Sequence, residues 1–287
     1  MLVSMNDLLQ VAQKNNFAVG AFNICDSLLF KVVMEAAEEN DAPVIVQLAS
    51  PEFRYVGSDF IGFILRRMEK SNIPCVLHLD HGKTLEDCIR AIKCGFNSVM
   101  IDGSTLPFEE NILLTKKVVE IAHYADVSVE AEIGTIGSLS NSPEEGVKNI
   151  TYTNPDDAYN FMKATEADTL AVAIGTAHGI YPEGFIPKLR LDILKSIQNK
   201  IKQPLVLHGG SSNDDQEIFE ACKLGISKVN IASDYRKAFF EKTKEELTEY
   251  GYFWTPRVYE EPIRAGKNVI AHKMELFGCT GKAKLYR

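Results

Sequence analysis

Eight short apolar runs alternate along the 287-residue chain with longer segments in which apolar residues recur at helical spacing. Such runs, rich in Val, Ile and Leu, are typical of strands that are buried on both faces of a parallel sheet. Strands that alternate with amphipathic helices predict βα units, and eight such units close into a barrel of about 250 residues. We therefore predict an α/β fold, a (β/α)8 TIM barrel, with strands in residues 17–24, 43–49, 74–80, 98–103, 127–134, 169–176, 204–210 and 228–233.

The intervening segments support this interpretation. Residues 26–40 carry an apolar stripe at helical spacing, and Thr84 and Gly95 are typical cap residues at the two ends of a later helix. Residues 74–104 and 204–234 also align with each other without a gap, as expected of two related half-barrels.

An open, doubly wound sheet is the alternative architecture. It would usually carry a glycine-rich dinucleotide fingerprint after the first strand, and the sequence "FNICDS" at residues 22–27 is not one. No change in composition divides the chain, so we predict a single domain over residues 1–287. Residues 256–287 follow the eighth strand and are predicted to form a C-terminal helical extension.

Composition excludes several classes of protein. The chain has 39 Asp and Glu against 31 Lys and Arg, which argues against nucleic acid or an anionic membrane as a partner, although a local pocket could still bind phosphate. No apolar run approaches the ~20 residues of a membrane span, and the first residues lack a signal-peptide profile. The six cysteines form no C-x-x-C pair. We expect reduced thiols and a cytoplasmic location.

Polar and ionisable residues are concentrated at the C-terminal ends of the predicted strands. In a TIM barrel these ends meet at one mouth, where active sites lie. Each residue alone could be a hydrogen-bonded histidine, a helix-capping carboxylate or a glycine in a tight turn. Burying many ionisable groups together is costly unless they serve a metal or a reaction, so we expect an active site. The set comprises Asn23, His78, Asp80, His81, Asp102, Glu130, Glu132, His178, His208, Gly209, Gly210, Ser211, Asn230 and Ser233.

Three of these histidines predict a metal site. His81, His178 and His208 come from three different strands, and three imidazoles are a common ligand set for catalytic zinc. Because side chains alternate along a strand, His78 and Asp80 face away from His81 unless the strand breaks, and Gly82 would permit a break. Asp80 would then lie beside the metal without binding it, and His78 would support the ligands from behind. The remaining histidines, His123 and His272, fall in helical segments and are expected to be structural or on the surface.

Two loops predict a phosphate site. The sequences "GGSS" (209–212) and "NIAS" (230–233) follow the seventh and eighth strands and present successive backbone N–H groups ahead of helices. Loops seven and eight are the usual phosphate site of TIM barrels.

No lysine lies at the C-terminal end of a predicted strand, since Lys228 is at the start of the eighth one. This argues against a mechanism in which a lysine forms a Schiff base with the substrate.

Taken together, the motifs resemble those of the class II, metal-dependent ketose-bisphosphate aldolases, which include fructose- and tagatose-bisphosphate aldolases. The resemblance runs through "FN", "HLDH", "MIDGS", "EAEIGTIG", "AIGTAHG", "LVLHGGSS" and "KVNIAS" to a C-terminal "KMELFGCTGKA". It implies a zinc-dependent lyase of carbohydrate metabolism, as in glycolysis. Such an enzyme reversibly cleaves a phosphorylated ketose to dihydroxyacetone phosphate and an aldehyde through a metal-stabilised enediolate. The resemblance also implies a homodimer or homotetramer.

The resemblance assigns roles to individual residues. His81, His178 and His208 would bind Zn²⁺, and Asp80 would be the acid–base for the proton on the C4 oxygen of the substrate. Asp102 and Glu132 would hold an alternate, inward position of the metal or orient its ligands. The phosphate end of the substrate and, through backbone carbonyls, a monovalent cation (Na⁺ or K⁺) would be bound by Asn23, Gly179, Gly209, Gly210, Ser211, Asn230, Ala232 and Ser233.

The chain departs from the family pattern in two places. The loop that supplies the base for the C3 proton is altered, and Glu144 or Glu145 is expected either to take that role or to be an ordinary loop charge. Fructose-type members often have an aspartate where this chain has Ala232, so it resembles the tagatose-type and related branches. The substrate stays open between phosphorylated ketoses and deoxyketonic acids. Arg257 is expected to reach the far phosphate, across a subunit boundary, or to be a surface arginine.

Two alternative functions are retained. One is a different zinc-dependent barrel enzyme, such as a hydrolase, although these generally carry an H-x-H pair on the first strand and "FNICD" has none. The other is a non-catalytic barrel that binds sugar phosphates, which the altered loop suggests.

Overall fold

The computed structural model describes residues 1–138, 150–179, 181, 187–250 and 254–286. Its strands are β1 (Val19–Asn23), β2 (Val44–Ala49), β3 (Cys75–Gly82), β4 (Ser98–Ile101), β5 (Ser128–Ile133), β6 (Gly137–Ser138), β7 (Thr169–Val172), β8 (Ala177–His178), β9 (Leu205–Leu207) and β10 (Ile226–Ile231). Its helices are α1 (Met5–Lys14), α2 (Ser27–Glu39), α3 (Ser50–Glu69), α4 (Leu85–Lys93), α5 (Phe108–Tyr124), α6 (Pro155–Thr165), α7 (Leu191–Gln198), α8 (Asp215–Lys223), α9 (Ser233–Tyr250) and α10 (Thr255–Leu276), followed by a 3₁₀ helix (Ala283–Tyr286).

Eight of the strands close into a parallel barrel in the order β1-β10-β9-β7-β5-β4-β3-β2. Closure is made by β1, which pairs with β10 on one side (Ala21 opposite Asn230) and with β2 on the other (Ala21 opposite Ile45). The predicted TIM barrel is confirmed, and the open doubly wound sheet is excluded because no edge separates the first strand from the last. The short strands β6 and β8 pair with each other outside the barrel.

Helix α2 illustrates why the segments between strands fold as they do. The Asp26 carboxylate caps the helix by accepting the N–H groups of Leu28 and Leu29, at 2.7 and 2.8 Å. The predicted stripe is buried against the barrel, and each large apolar side chain in it contributes about 2 kcal/mol of burial free energy. The stripe consists of Leu29, Val32, Val33, Ala36 and Ala37.

The two aligned segments adopt the same unit. Thr84 caps α4 and Asp214 caps α8, each through its side-chain oxygen. Both helices end ahead of a glycine in the left-handed region, Gly95 (φ +95°) and Gly225 (φ +115°), where a residue with a Cβ would be strained. The repeated sequence therefore reflects a repeated strand–helix–strand structure.

The predicted helical extension is confirmed. Helix α10 follows the helix of the eighth βα unit, α9, and packs against α9 and α2. Where α10 crosses α2, a Cβ on Gly266 would lie 2.9 Å from a methyl of Val32, so glycine permits the close approach. The assignment of residues 1–287 to a single domain stays a prediction.

Two further expectations bear on the class of protein. All six cysteines are free thiols, and Cys75, Cys88, Cys222 and Cys279 are buried. Within the described ranges, no helix combines the length and apolarity that a membrane span requires.

Candidate active site

Three histidine rings meet at the C-terminal mouth of the barrel. His81 lies near the end of β3, His178 ends β8, and His208 follows β9. The centroid of the His81 ring lies 5.0 Å from that of the His178 ring and 4.7 Å from that of the His208 ring. One nitrogen from each ring lies within 4.8 Å of the other two, so the predicted trio converges on one point.

His81 reaches this point through an unusual backbone conformation. Its φ is +46°, in the left-handed region, and the pairing of β3 with β4 shifts register between Leu79 and Gly82. We predicted the break at Gly82, but the turn is made by His81 itself, at a strain cost of about 1–3 kcal/mol. Gly82 has a different role, because a Cβ there would lie 2.6 Å from the backbone oxygen of Met100.

Carboxylates fix the orientation of two of the rings. The Nδ1 of His81 lies 2.9 Å from Asp102 Oδ2, and the Nε2 of His208 lies 2.8 Å from Glu130 Oε1. An ionised carboxylate only accepts hydrogen bonds, so these two nitrogens carry the protons. The remaining nitrogens, His81 Nε2 and His208 Nδ1, lie 3.0 Å apart and are the ones presented to a ligand.

Charge on Asp102 is stabilised by its neighbours. Burial acts to raise its pKa, but the hydrogen bond with His81 and the ammonium of Lys83, 2.6 Å away, hold the pKa well below the usual range. For His81, burial opposes the charged form, yet Asp80 and Asp102 raise its pKa to about 10. The mouth of the barrel therefore contains closely coupled opposite charges.

A buried ion pair supports His208 from below. The Lys228 ammonium lies 2.8 Å from Glu130 Oε2, and both side chains have no exposed surface. His78 lies beside this pair, 3.7 Å from Glu130 and hydrogen-bonded through Nδ1 to the Ser98 hydroxyl at 2.8 Å. Burial, followed by the charge of Lys228, lowers the pKa of His78 well below its usual value, so this ring is neutral. Its position behind the ligands agrees with the supporting role that we expected.

Glu132 has a buried carboxyl group whose hydrogen bonding is incomplete among the described residues. Its Oε2 has no hydrogen-bond partner among the described residues. Burial, together with the charge of Asp102, raises the pKa of Glu132 well above its usual value. Donor atoms of His81, Asp102 and Glu132 lie within 4.8 Å of one another and form a second group that could hold a metal.

Asp80 is held by three side-chain amides. Its Oδ2 accepts a hydrogen bond from Asn23 Nδ2 at 2.8 Å and another from Gln47 Nε2 at 3.3 Å. Its Oδ1 accepts one from Asn230 Nδ2 at 3.2 Å. Burial acts to raise the pKa of Asp80, but the charges of His81, His208 and Lys228 and the hydrogen bond from Asn23 lower it to about 2. Asp80 is therefore a carboxylate at neutral pH, 4.0 Å from His81 Nε2.

A small pocket opens beside Asp80 and His178. Of the eight residues predicted to bind the phosphate end of the substrate, seven line it, and Gly210 does not. Gly210 instead donates its N–H to the backbone oxygen of Asn230 at 3.0 Å, so this N–H is not free for an anion. The N-terminus of α9, at Ser233, forms part of the wall, which favours an anionic ligand. The lining residues are Asn23, Asp80, His178, Gly179, Gly209, Ser211, Asn230, Ala232 and Ser233.

Other predicted residues lie elsewhere. Arg257 is on α10, where its guanidinium lies 3.3 Å from Glu260 and 5.9 Å from the ring centroid of Tyr250, and it does not line the pocket. Glu144 and Glu145 lie outside the described residues. The two helical histidines have structural partners, Asp168 for His123 at 3.0 Å and Asp215 for His272 at 2.7 Å.

Sequence reasoning missed the supporting residues Gln47 and Lys228 and gave Glu130 no role. Gln47 does leave a signal, because it is a polar residue inside an otherwise apolar strand, and Glu130 and Lys228 are charged residues within strands. Their partners could not be read in the same way, since those depend on how β2, β5 and β10 are arranged around the barrel.

The residues present fit a zinc ion. Three imidazole nitrogens with two of the rings oriented by carboxylates are a donor set that Zn²⁺ prefers. A cation would also satisfy the unpartnered oxygen of Glu132.

Two solved structures with the same fold are described as aldolases. The YdjI aldolase from Escherichia coli K12 matches with a TM-score of 0.87 and 32% identity over 99% of this chain and 100% of that one. A putative fructose-1,6-bisphosphate aldolase from Coccidioides immitis matches with a TM-score of 0.85 and 28% identity over 98% of both chains.

Comparison of the sequence with known proteins also identifies bisphosphate aldolases. D-tagatose-1,6-bisphosphate aldolase subunit GatY from Klebsiella oxytoca is 39% identical over 283 residues, which cover 98% of this chain and 99% of that protein. The family model for class II fructose-bisphosphate aldolases matches residues 3–282. Because the family model and this relative both cover nearly the whole sequence, the chain belongs to the class II fructose-bisphosphate aldolase family.

Proposed function

We propose that this class II aldolase uses zinc to cleave a ketose 1,6-bisphosphate reversibly to dihydroxyacetone phosphate and an aldehyde. Dependence on zinc is general in the family. The observation that carries the proposal is the convergence of His81, His178 and His208 beside a buried carboxylate and a pocket suited to phosphate.

The metal would be held by His81 through Nε2, by His208 through Nδ1 and by His178. Bound Zn²⁺ supplies a Lewis acid that stabilises the negative charge developing on the substrate when the carbon–carbon bond breaks. Asp102 and Glu130 orient the rings by accepting a hydrogen bond from the opposite side of each, so that His81 Nε2 and His208 Nδ1 face the site. Glu132 and Asp102 would hold a second, inward position of the metal, which the unpartnered oxygen of Glu132 supports.

Asp80 would transfer the proton. During cleavage its carboxylate accepts the proton of the hydroxyl group whose oxygen becomes the aldehyde, and during condensation it returns that proton. The amides of Asn23, Gln47 and Asn230 orient both oxygens of Asp80 and stabilise the ionised, proton-accepting form. Glu144 and Glu145 remain the proposed candidates for the base that takes the C3 proton.

The pocket beside Asp80 would bind the phosphate end of the substrate. Hydroxyl groups of Ser211 and Ser233 and the N-terminus of α9 provide donors without a formal charge. Backbone carbonyls at Gly179 and Gly209 are the proposed ligands of Na⁺ or K⁺.

Tagatose 1,6-bisphosphate is the substrate that we favour over fructose 1,6-bisphosphate. The similarity to a tagatose-bisphosphate aldolase subunit supports this choice. Ala232, which lines the pocket in place of an acidic residue, supports it as well.

An assay across a panel of phosphorylated ketoses, coupled to the reduction of dihydroxyacetone phosphate, tests the function. We expect cleavage of ketose 1,6-bisphosphates, loss of the activity after chelation, and recovery when Zn²⁺ is added. Borohydride together with substrate should leave the protein unmodified. Covalent trapping on a lysine, or full activity after complete removal of metal, would contradict the zinc mechanism.

We also propose a cytoplasmic homodimer or homotetramer that binds neither nucleic acid nor membranes. The net charge of −8 argues against nucleic acid and anionic membranes as partners. Sedimentation equilibrium measures the oligomeric state, and a monomer at micromolar concentration would refute this part of the proposal.

A further inference from the structure

Helix α10 contacts the starts of α8 and α9, and α9 begins at Ser233 in the wall of the phosphate pocket. The ammonium of Lys273 lies 3.3 Å from Asp215 Oδ1, at the start of α8, and 3.4 Å from Asp234 Oδ2, in the first turn of α9. Only 8% of the Lys273 side chain is exposed. A lysine of the C-terminal extension thus joins the elements that follow β9 and β10.

Asp234 connects this lysine to the wall of the pocket. Its Oδ1 accepts the backbone N–H of Ser212 at 3.0 Å and the hydroxyl of Ser212 at 3.1 Å. Ser212 has a φ of +58°, a left-handed conformation that costs free energy in a residue other than glycine. The residues adjacent to this contact, Ser211 and Ser233, both line the pocket. The Asp234 carboxylate therefore holds the loop in the shape that the pocket requires.

The charges around the pocket need compensation. Among the described residues that line it, none is a lysine or an arginine. Asp215 and Asp234 are favourable at helix N-termini, but their negative charges would repel a phosphate dianion bound nearby. His272 also contacts Asp215, at 2.7 Å, but 56% of its side chain is exposed and solvent screens its effect. Lys273 is the buried cation that faces both carboxylates.

We propose that Lys273 is a positioning residue for the phosphate pocket. It neutralises Asp234 and holds that carboxylate against Ser212, and in this way it sets the affinity for the phosphate end of the substrate without touching the substrate. The inference rests on the proposed function only in taking the pocket to bind phosphate.

The test compares Lys273→Met with Lys267→Met in the zinc-loaded full chain. Lys267 is a matched control, since it also ties α10 to the barrel through carboxylates, Glu35 at 3.5 Å and Glu39, but it does so on α2. Calorimetric titration with inorganic phosphate and with dihydroxyacetone phosphate measures Kd. We expect Lys273→Met to raise both Kd values roughly tenfold, the effect of one unbalanced charge near the ligand, and Lys267→Met to leave them within about twofold of the unaltered protein.

Kinetics separate positioning from catalysis. Contacts with the phosphate are the same in the ground state and the transition state, so Lys273→Met should raise KM and leave kcat almost unchanged. Lys273→Arg should restore the affinity. Adding Asp234→Asn to Lys273→Met should also restore most of it, because asparagine keeps an oxygen for the Ser212 N–H and removes the charge.

Several outcomes would overturn the inference. An unchanged phosphate Kd in Lys273→Met would do so, as would an equal loss in Lys267→Met, which would indicate only a loosened α10. Absence of phosphate binding by the unaltered protein would also refute it. If the phosphate Kd depends on Lys273 as expected but the protein cleaves no ketose bisphosphate, the proposed function fails and this inference stands.

Discussion

At the scale of single residues, the barrel mouth is organised by which atom of each side chain is already engaged. The Nδ1 of His81 and the Nε2 of His208 are bound by carboxylates, so the opposite nitrogens face each other. Three amides surround Asp80 in the same way and preserve its charge despite complete burial. Chemistry here depends on hydrogen bonds made behind the reacting groups.

Asp80→Asn removes the proton acceptor while keeping the shape of the side chain. We expect kcat to fall by about 10²–10⁴-fold, the usual contribution of a general acid–base, with the zinc content unchanged. Steady-state kinetics and metal analysis check this. The matched control is Asp59→Asn, at an exposed carboxylate on α3, which should behave like the unaltered protein. Turnover within a few fold of normal in Asp80→Asn would refute the assigned role.

How far the sequence predicts the site also differs from residue to residue. The histidines and Asp80 were predictable because polar groups at the ends of apolar strands are rare and costly. Gln47 was not, because it reaches Asp80 only through the pairing of β2 with β3. The break in β3 was predicted at Gly82, because glycine normally takes the left-handed conformation. The structure instead places the left-handed residue at His81, a strained histidine.

At the scale of elements, strands of the barrel are joined by charge as well as by backbone hydrogen bonds. Lys228 on β10 crosses the barrel interior to Glu130 on β5, and these strands are not neighbours in the sheet. The predicted strands and crossover helices followed from periodicity alone. This cross-barrel pair did not, since each partner is 98 residues from the other in sequence.

Breaking the Lys228–Glu130 pair should destabilise the fold strongly, whereas removing both charges should destabilise it only slightly. Lys228→Met leaves Glu130 buried without its counterion, so we expect the free energy of unfolding to fall by about 3–5 kcal/mol. Adding Glu130→Gln should recover most of the loss, because glutamine keeps an oxygen for His208 Nε2 and carries no charge. Denaturant titration of the single and double variants measures the coupling.

The control for this cycle is Lys237→Met, which removes an exposed lysine paired with the exposed Glu241 on the surface of α9. Its stability should stay close to that of the unaltered protein. A double variant no more stable than Lys228→Met alone would show that the cost arises from packing rather than from charge.

At the scale of the whole molecule, the three histidines connect parts of the chain that are distant in sequence. They come from β3, from β8 and from the end of β9, so one ion bound to all three would join these parts in the folded state only. The closed barrel was predictable from eight strand–helix repeats. Which of its mouths would hold the site followed from barrel geometry and from no single residue.

Binding of Zn²⁺ should therefore stabilise the fold. A ligand that binds only the folded state at a thousandfold excess over its Kd adds about 4 kcal/mol, which corresponds to a rise in Tm of roughly 8 °C. Calorimetric melting of the metal-free and zinc-loaded chain checks this. Mg²⁺, which prefers oxygen ligands, serves as the control ion and should leave Tm unchanged. An equal Tm with and without Zn²⁺ would argue against a shared site.

The closure of β1 on β10 has a consequence for the synthesis of this protein. The proton-transferring carboxylate of Asp80 is held from one side by Asn23, which ends the first strand, and from the other by Asn230 on the last. A nascent chain still missing its final quarter has one of these two amides and six of the nine residues that line the phosphate pocket. Competence to bind substrate therefore arises late, when the ribosome has delivered the last strand and the two ends of the sheet have met.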